Sequence, residues 1–259
     1  MLTSPPLPPG GRWLPEGQTE GAPSGASRHL PLRGRSLALC FLLLASCRAA
    51  PQQERFPKPN RPVAAIVGDT FSTEDARDRM GEFEKVVTLA GVKPGMWVAD
   101  VGAGEGYYSV RLSPVVGKRG RVLAEDIQPD VTDQLAQRVQ REGLDNVAVM
   151  LGEPDDPRLP AHSLDRVFLV HVYHEVASPY AFLWHMRESL KPGGLVIVVD
   201  ADRPPQRHGI PPTTLRCEFA AVGFQMRAFR PIENGDAYFA AFAPVGERPK
   251  PSEIKACKA

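Results

Sequence analysis

The stretch Val98-Ala99-Asp100-Val101-Gly102-Ala103-Gly104-Glu105-Gly106 runs from a short apolar segment into three glycines at alternate positions. An apolar run of this length that stops at glycine reads as a buried parallel strand entering a tight turn. Glycines let the main chain pass close to a ligand, and a helix that starts there presents amide N–H groups to it. Taken alone, such a loop is shared by several nucleotide-type ligands and by plain turns, so its surroundings decide.

Asp126 ends a second strand, Arg121 to Asp126, 20 residues beyond Gly106. A carboxylate at that place can accept both hydroxyls of a ribose. The GxGxG spacing departs from the GxGxxG of pyrophosphate sites, and no GKS or GKT follows, which favours a nucleoside ligand without a pyrophosphate.

Outward from this centre the chain alternates. Upstream, Ser72-Thr73-Glu74-Asp75 has the hydroxyls and carboxylates of a helix start, and Met80, Phe83, Val86, Val87 and Ala90 recur at helical spacing before Gly91 and Pro94-Gly95. Downstream, Thr132 to Arg141 reads as a helix, Val147 to Leu151 as a strand, Leu164 to Val170 as a strand and Tyr180 to Leu190 as a helix. Leu195 to Asp200 is a further strand after Pro192-Gly193-Gly194, and Thr213 to Val222 is helical. Gln225 to Arg230 and Ala237 to Ala243 are strands joined at Glu233-Asn234-Gly235-Asp236, a hairpin signal. Repeated βα units predict an α/β fold: a Rossmann-like, doubly wound, mostly parallel seven-stranded sheet with an antiparallel C-terminal edge strand.

Composition sets this domain apart from what precedes it. Of the 27 prolines, 11 fall in the first 62 residues, beside stretches rich in glycine and serine. The first 53 residues hold five arginines against two glutamates, a charge of +3, so with +1 overall the remainder carries −2. Residues 1–35 are expected to be a disordered leader, 48–70 a linker, 71–243 the domain and 244–259 a polar tail. The near balance of 31 Lys+Arg against 30 Asp+Glu excludes a nucleic-acid binder held mainly by phosphate neutralisation.

Residues 36–47, SLALCFLLLASC, are uncharged, with Arg33 and Arg35 before them and Arg48 after. That is about half the ~20 residues a membrane-spanning helix needs. It has the layout of a secretory signal, and Leu44-Ala45-Ser46-Cys47 resembles a bacterial lipobox, in which the cysteine is lipidated. A cell-envelope location follows, or a cytoplasmic one where the segment does not act as a signal. Cys217 and Cys257 remain for the domain, too few for a disulfide framework, and no CxxC pair points to zinc.

Four blocks, VADVGAGEG at Val98 to Gly106, RVLAEDI at Arg121 to Ile127, LPAHSLDRVFLVHVYHEV at Leu159 to Val176 and LKPGGLVIVVD at Leu190 to Asp200, resemble the class I S-adenosylmethionine-dependent methyltransferases in their order and content. The resemblance covers roughly Glu82 to Phe242. It implies S-adenosyl-L-methionine as cofactor, held by the strand-end Asp100, by Gly102, Gly104 and Gly106 of the loop, and by Asp126 at the ribose. Asp155, or next to it Asp156, would meet the adenine amine, and His171, at the mouth of the fourth strand, would line the methyl-transfer cleft.

Methyl transfer from a sulfonium is an in-line displacement in which alignment of donor and acceptor carries much of the catalysis. A base is needed for a hydroxyl or an acidic carbon, and His171, Tyr173, His174 or Glu175 could serve. Tyr107 and Tyr108, directly after the glycine loop, could cover the sulfonium or pack in the core. The loop holding Arg203, His208, Pro211 and Pro212 stands where such enzymes build substrate walls. No metal is expected, because His174-Glu175 lacks the second histidine of HExxH.

The leading function is therefore methyl transfer to a small-molecule acceptor, with no nucleic-acid partner and with membrane attachment through the N-terminal segment. The alternative is a methyltransferase-fold binding protein of the cell envelope without turnover, since the methyl donor is made in the cytoplasm. A nicotinamide-dependent oxidoreductase shares the glycine loop and the strand-end acid and is the third reading.

Overall fold

A computed structural model describes residues 55–66, 74–232 and 236–258. Within them the chain builds a seven-stranded sheet in the order β3-β2-β1-β4-β5-β7-β6. Its strands are β1 (Trp97–Val101), β2 (Arg121–Asp126), β3 (Val147–Leu151), β4 (Leu164–Val170), β5 (Leu190–Ala201), β6 (Phe224–Pro231) and β7 (Ala237–Pro244). The first five are mutually parallel, β7 is antiparallel to β5, and β6 is antiparallel to β7. The expected architecture is the observed one.

The six helices are α1 (Glu74–Met80), α2 (Glu82–Ala90), α3 (Tyr107–Val116), α4 (Pro129–Arg141), α5 (Pro179–Ser189) and α6 (Pro212–Ala221). Proline stands at the start of α4, α5 and α6, where a missing amide hydrogen costs nothing. The single helix expected before β1 is two, because Gly81 takes a left-handed conformation with φ 62° and breaks it. Its expected cap, Ser72-Thr73, lies outside the described residues, as do residues 1–47 and Glu233-Asn234-Gly235 of the hairpin turn. Among the described residues no helix is long and apolar enough to cross a membrane.

Strand alternation divides the core into two faces. Ala99, Val101, Val167, Leu169, Val196 and Val198 point to one side, where Leu183 and Met186 of α5 and Leu215 and Phe219 of α6 cover them. Val98, Phe168, Ile197 and Val199 point to the other, against Phe83 and Val86 of α2, Leu112 of α3 and Leu135 of α4. Burial on both faces explains why β1, β4 and β5 read as nearly continuous apolar runs. The chain winds outward from β1 through β2 to β3, then returns to β4 on the other side of β1. That reversal leaves a crevice beyond the C-terminal ends of the strands, where open α/β sheets take their ligands.

The described parts of the flanks expected as linker and tail, residues 55–66 and 244–258, pack against helices α5 and α6. Cys217 of α6 is disulfide-bonded to Cys257. The amide of Cys257 donates to Tyr180 Oη at 2.8 Å, and the side-chain amide of Asn60 donates to the carbonyl of Cys257 at 2.8 Å. Arg248 stacks on Trp184 at 3.6 Å, and the Trp184 indole N–H donates to the Pro249 carbonyl. Apolar Ile254 and Cys257, at an i, i+3 spacing inside a Lys- and Pro-containing segment, are the residues that this packing buries. The disulfide closes a loop of 40 residues. Removing that constraint on the unfolded chain, by the double change Cys217→Ser and Cys257→Ser, should lower unfolding stability by about 2–4 kcal/mol, read from urea denaturation.

Candidate active site

The crevice is lined by the loop after β1, the ends of β2 and β4, and the segments that follow them. Gly102 has φ 70°, and a Cβ there would lie 2.5 Å from Val172 Cγ2, so neither the backbone nor the space admits a side chain. Gly104 is open to the crevice, with nothing within 4 Å of where its Cβ would be. Gly106 caps α3 at φ 89°, where a Cβ would lie 2.4 Å from Leu135 Cδ1, and it is not on the crevice wall. Two of the three glycines thus meet the ligand space, and the third lets helices α3 and α4 close together.

The loop is fastened to β2. The amide of Ala103 donates to the carbonyl of Glu125 at 2.8 Å, and that of Gly104 to Asp126 Oδ2 at 3.1 Å. Asp126 Oδ1 takes the amide of Gln128 at 3.0 Å. Each carboxylate oxygen has a second lone pair, so Asp126 can still accept from a ligand. Asp100 is buried behind the loop, accepting from Ser109 Oγ at 2.6 Å, and it does not line the crevice. Burial raises its pKa to about 6 against the opposing Ser109 hydrogen bond. Its place is in the support of the loop, behind the crevice wall on which it was expected.

Glu125, beside Asp126, is a crevice residue that sequence reading overlooked. It is 1% exposed, and its Oε1 has no hydrogen-bond partner among the described residues. Burial first, then the neighbouring Asp126 charge, pushes its pKa up to about 8. The only clue in the sequence is a pair of acids where the pattern needs one. On the adenine side, Glu153 and Pro154 line the crevice, whereas Asp155 is exposed and absent from its wall. Asp156 instead pairs through its backbone with Glu153 in a small turn.

His171 follows β4 in a left-handed conformation, φ 57°, and lines the crevice. Its amide donates to the carbonyl of Val199, and its Nε2 is 3.0 Å from Glu82 Oε2. Glu82 also accepts from Arg77 at 2.7 Å and from the Tyr108 hydroxyl at 3.1 Å. Burial alone would raise the Glu82 pKa, but the His171 and Arg77 partners outweigh it and hold the carboxyl down at about 2. A charged carboxylate therefore orients the His171 ring. This partner comes from α2, 89 positions away in the chain, and no local pattern announces it.

Tyr173 and His174 are not on the crevice wall. Tyr173 is fully buried, its hydroxyl donating to Glu218 Oε2 at 2.9 Å, while Arg61 binds the other oxygen of Glu218 at 2.9 Å. Burial, with the Glu218 charge, raises its pKa well above that of a free phenol, which disqualifies it as a base. His174 is also buried, with Nδ1 2.9 Å from Asp200 Oδ1. The short turn Tyr173–Glu175 is what separates them, sending consecutive side chains in different directions, with Glu175 to the crevice. Tyr107 and Tyr108 both pack in the core, Tyr107 with Arg77 and Arg111 stacked on its ring at 3.9 and 4.0 Å.

An S-adenosyl nucleoside suits this wall. The glycine opening at Gly104, the crevice-lining carboxylate of Asp126 and the unsatisfied Glu125 oxygen offer polar contacts. Val101, Ile127, Val131, Val172 and Phe182 supply the apolar remainder. Glu125, Asp126, Glu153 and Glu175 line it and, among the described residues, no lysine or arginine does, a composition that repels phosphate and accepts a cation.

Comparison with known proteins agrees. Residues 98–194 match the family model described as a methyltransferase domain. The ubiquinone/menaquinone biosynthesis C-methyltransferase UbiE of Coxiella burnetii is 25% identical over 119 residues, 46% of this chain and 48% of that protein. Its counterpart in Shewanella putrefaciens is 26% identical over the same length, 46% and 47% of the two chains. The chain thus spans about half the length of the curated relatives it matches. Among solved structures, a SAM-dependent methyltransferase from Aquifex aeolicus is 28% identical with a TM-score of 0.59, over 64% of this chain and 91% of that one. The [4+2]-cyclase SpnF, 16% identical with a TM-score of 0.57 over 71% and 88%, shares the fold. In its glycine loop, strand-end carboxylate, topology and the methyltransferase domain matched over residues 98–194, the chain is similar to the class I S-adenosylmethionine-dependent methyltransferases.

Proposed function

We propose that this protein transfers a methyl group from S-adenosyl-L-methionine to a small-molecule acceptor. The observation that carries the reading is the crevice wall itself, four carboxyl groups and, among the described residues, no lysine or arginine around a glycine opening. Such a wall disfavours nicotinamide dinucleotides, because its carboxyl groups repel a pyrophosphate. When bound, the cofactor supplies an activated methyl group on a positively charged sulfur. Gly102 and Gly104 would hold its amino-acid part and Asp126 its ribose, with Glu153 and Pro154 at the base in the place expected of Asp155.

The chain's own residues do the remainder. Apolar side chains from β4 and the turn after it, Val170, Val172 and Val176, exclude water and press the reactants together, an effect worth up to about 7–11 kcal/mol of barrier. His171, oriented by Glu82, is the acceptor for a proton leaving the nucleophile, and Glu82 stabilises the imidazolium that forms. The relatives carry the printed activity of quinone-biosynthesis C-methyltransferases, which supports a small acceptor with an acidic carbon.

The Cys217–Cys257 disulfide supports a cell-envelope location, because such bonds persist in oxidising compartments. Residues 36–47 would supply export or lipidation at Cys47. The same disulfide favours the second reading, an envelope protein that binds without turnover, since the donor is made in the cytoplasm. Titration calorimetry with S-adenosylmethionine and a search for labelled product with isotope-labelled donor separate the two: binding with product supports the enzyme, and binding without product supports the second reading.

Asp126→Ala should weaken S-adenosylmethionine binding about tenfold to hundredfold in calorimetry, the range for a hydrogen bond to a charged group. His171→Ala should lower kcat about 10²- to 10⁴-fold while cofactor affinity stays within a few-fold, measured with the acceptor once identified. The Glu125 carboxyl binds its proton more tightly folded than unfolded, so its contribution is fully present below the usual carboxylate range and is lost as pH rises to about 8. Thermal melts should therefore show wild type losing stability relative to Glu125→Gln between pH 5 and pH 8; parallel curves would refute this.

A further inference from the structure

Three potential donor side chains, those of His174, Glu175 and His208, have ligand atoms that all lie within 4.8 Å of one another. We infer that they form a binding site for one divalent transition-metal ion, of the zinc or iron(II) class, beside the crevice at the end of β5. Two imidazole nitrogens and one carboxylate oxygen are a ligand set these ions take, with further positions open to water or a substrate oxygen.

The second layer of the site is what sets it apart from a chance cluster. His174 is 1% exposed and Asp200 fully buried, with His174 Nδ1 2.9 and 3.0 Å from the two Asp200 oxygens. Asp200 Oδ1 also accepts the amide of Ala201 at 2.8 Å. A buried carboxylate on Nδ1 fixes the tautomer with its proton there and leaves Nε2 as the lone-pair donor, the arrangement found behind metal-bound histidines. That Nε2 lies 4.0 Å from Glu175 Oε1, and the rings of His174 and His208 are 5.6 Å apart at 79°. With bonds near 2.1 Å, an ion holds neighbouring donors roughly 3–3.5 Å apart, so side-chain rotation closes the site.

His208 is brought there by backbone. Ile210 and Arg203 both donate to the Ala201 carbonyl, and Arg203 Nε donates to the His208 carbonyl at 3.2 Å. A Cβ at Gly209 would meet that Ala201 oxygen at 2.5 Å, so the loop turns back over the end of β5 with no slack. The expectation of no metal rested on the missing second histidine of HExxH. Here the third ligand comes from a different loop, joined to His174 by the sheet. Glu175 also lines the crevice, so the site adjoins it.

The site stands independently of methyl transfer and is tested without it. Full-length protein purified without a histidine tag is dialysed against Zn²⁺ and measured by elemental analysis, and titrated with Co²⁺ by visible absorption. The expected result is one ion per chain, with His208→Ala and Glu175→Gln each weakening Co²⁺ affinity at least tenfold and His162→Ala, on an exposed turn, leaving it unchanged. Asp200→Asn should weaken it about 10- to 100-fold. Circular dichroism confirms folding, and if His208→Ala fails to fold, Glu175→Gln decides. Absence of stoichiometric metal in wild type, or a loss below tenfold in the deciding variant, overturns the inference.

Discussion

The amide of Gly104 donates to the carboxylate of Asp126 across 3.1 Å, and the crevice depends on that bond. It joins the loop leaving β1 to the end of β2, so the floor and the wall of the ligand space are held by one contact. Beneath it, the Ala103 amide on the Glu125 carbonyl continues the pairing of the two strands past their ends. A side chain at Gly102 would strike Val172 and force the loop off this position. Parallel pairing of β1 with β2 on one side and β4 on the other then places Asp126 and His171 across the same opening.

Around this contact, carboxylates dominate the polar chemistry in three different electrostatic states. Glu82 is held ionised by Arg77 and His171, and so serves as an orienting charge. Glu125, with no cation near and Asp126 beside it, is driven toward the neutral acid. Asp100 lies between them, buried but supported by Ser109. Partner geometry, not residue type, separates these roles. A cationic, phosphate-free ligand is attracted by such a wall of carboxyl groups and needs no positive side chain there.

The same sheet end carries a second polar group of residues, His174 with Asp200 and His208, one turn away from the first. His171 and His174 are three residues apart yet belong to different surroundings, since the short turn after β4 points one to the crevice and the other to the end of β5. The flanking segments complete the fold from outside: the disulfide, Arg61 on Glu218 and the Arg248–Trp184 stack tie residues before and after the sheet onto α5 and α6.

Much of the fold was legible because it rests on local and periodic signals. The apolar run Val98 to Val101 with its glycines, the strand-end Asp126 and the proline and glycine punctuation of the βα units each act within a few residues, and the antiparallel pair β6–β7 was legible from its turn residues. What tertiary structure alone decided are contacts between distant residues. Glu82 reaches His171 from α2, Glu218 of α6 claims the hydroxyl of Tyr173, and Cys257 returns to Cys217. Glu125 was passed over because its neutral state arises from burial, and burial is a property of the assembled sheet. Periodicity encodes which face a side chain takes along its own element; which partner waits on that face depends on how elements stack, and one chain segment carries no record of that.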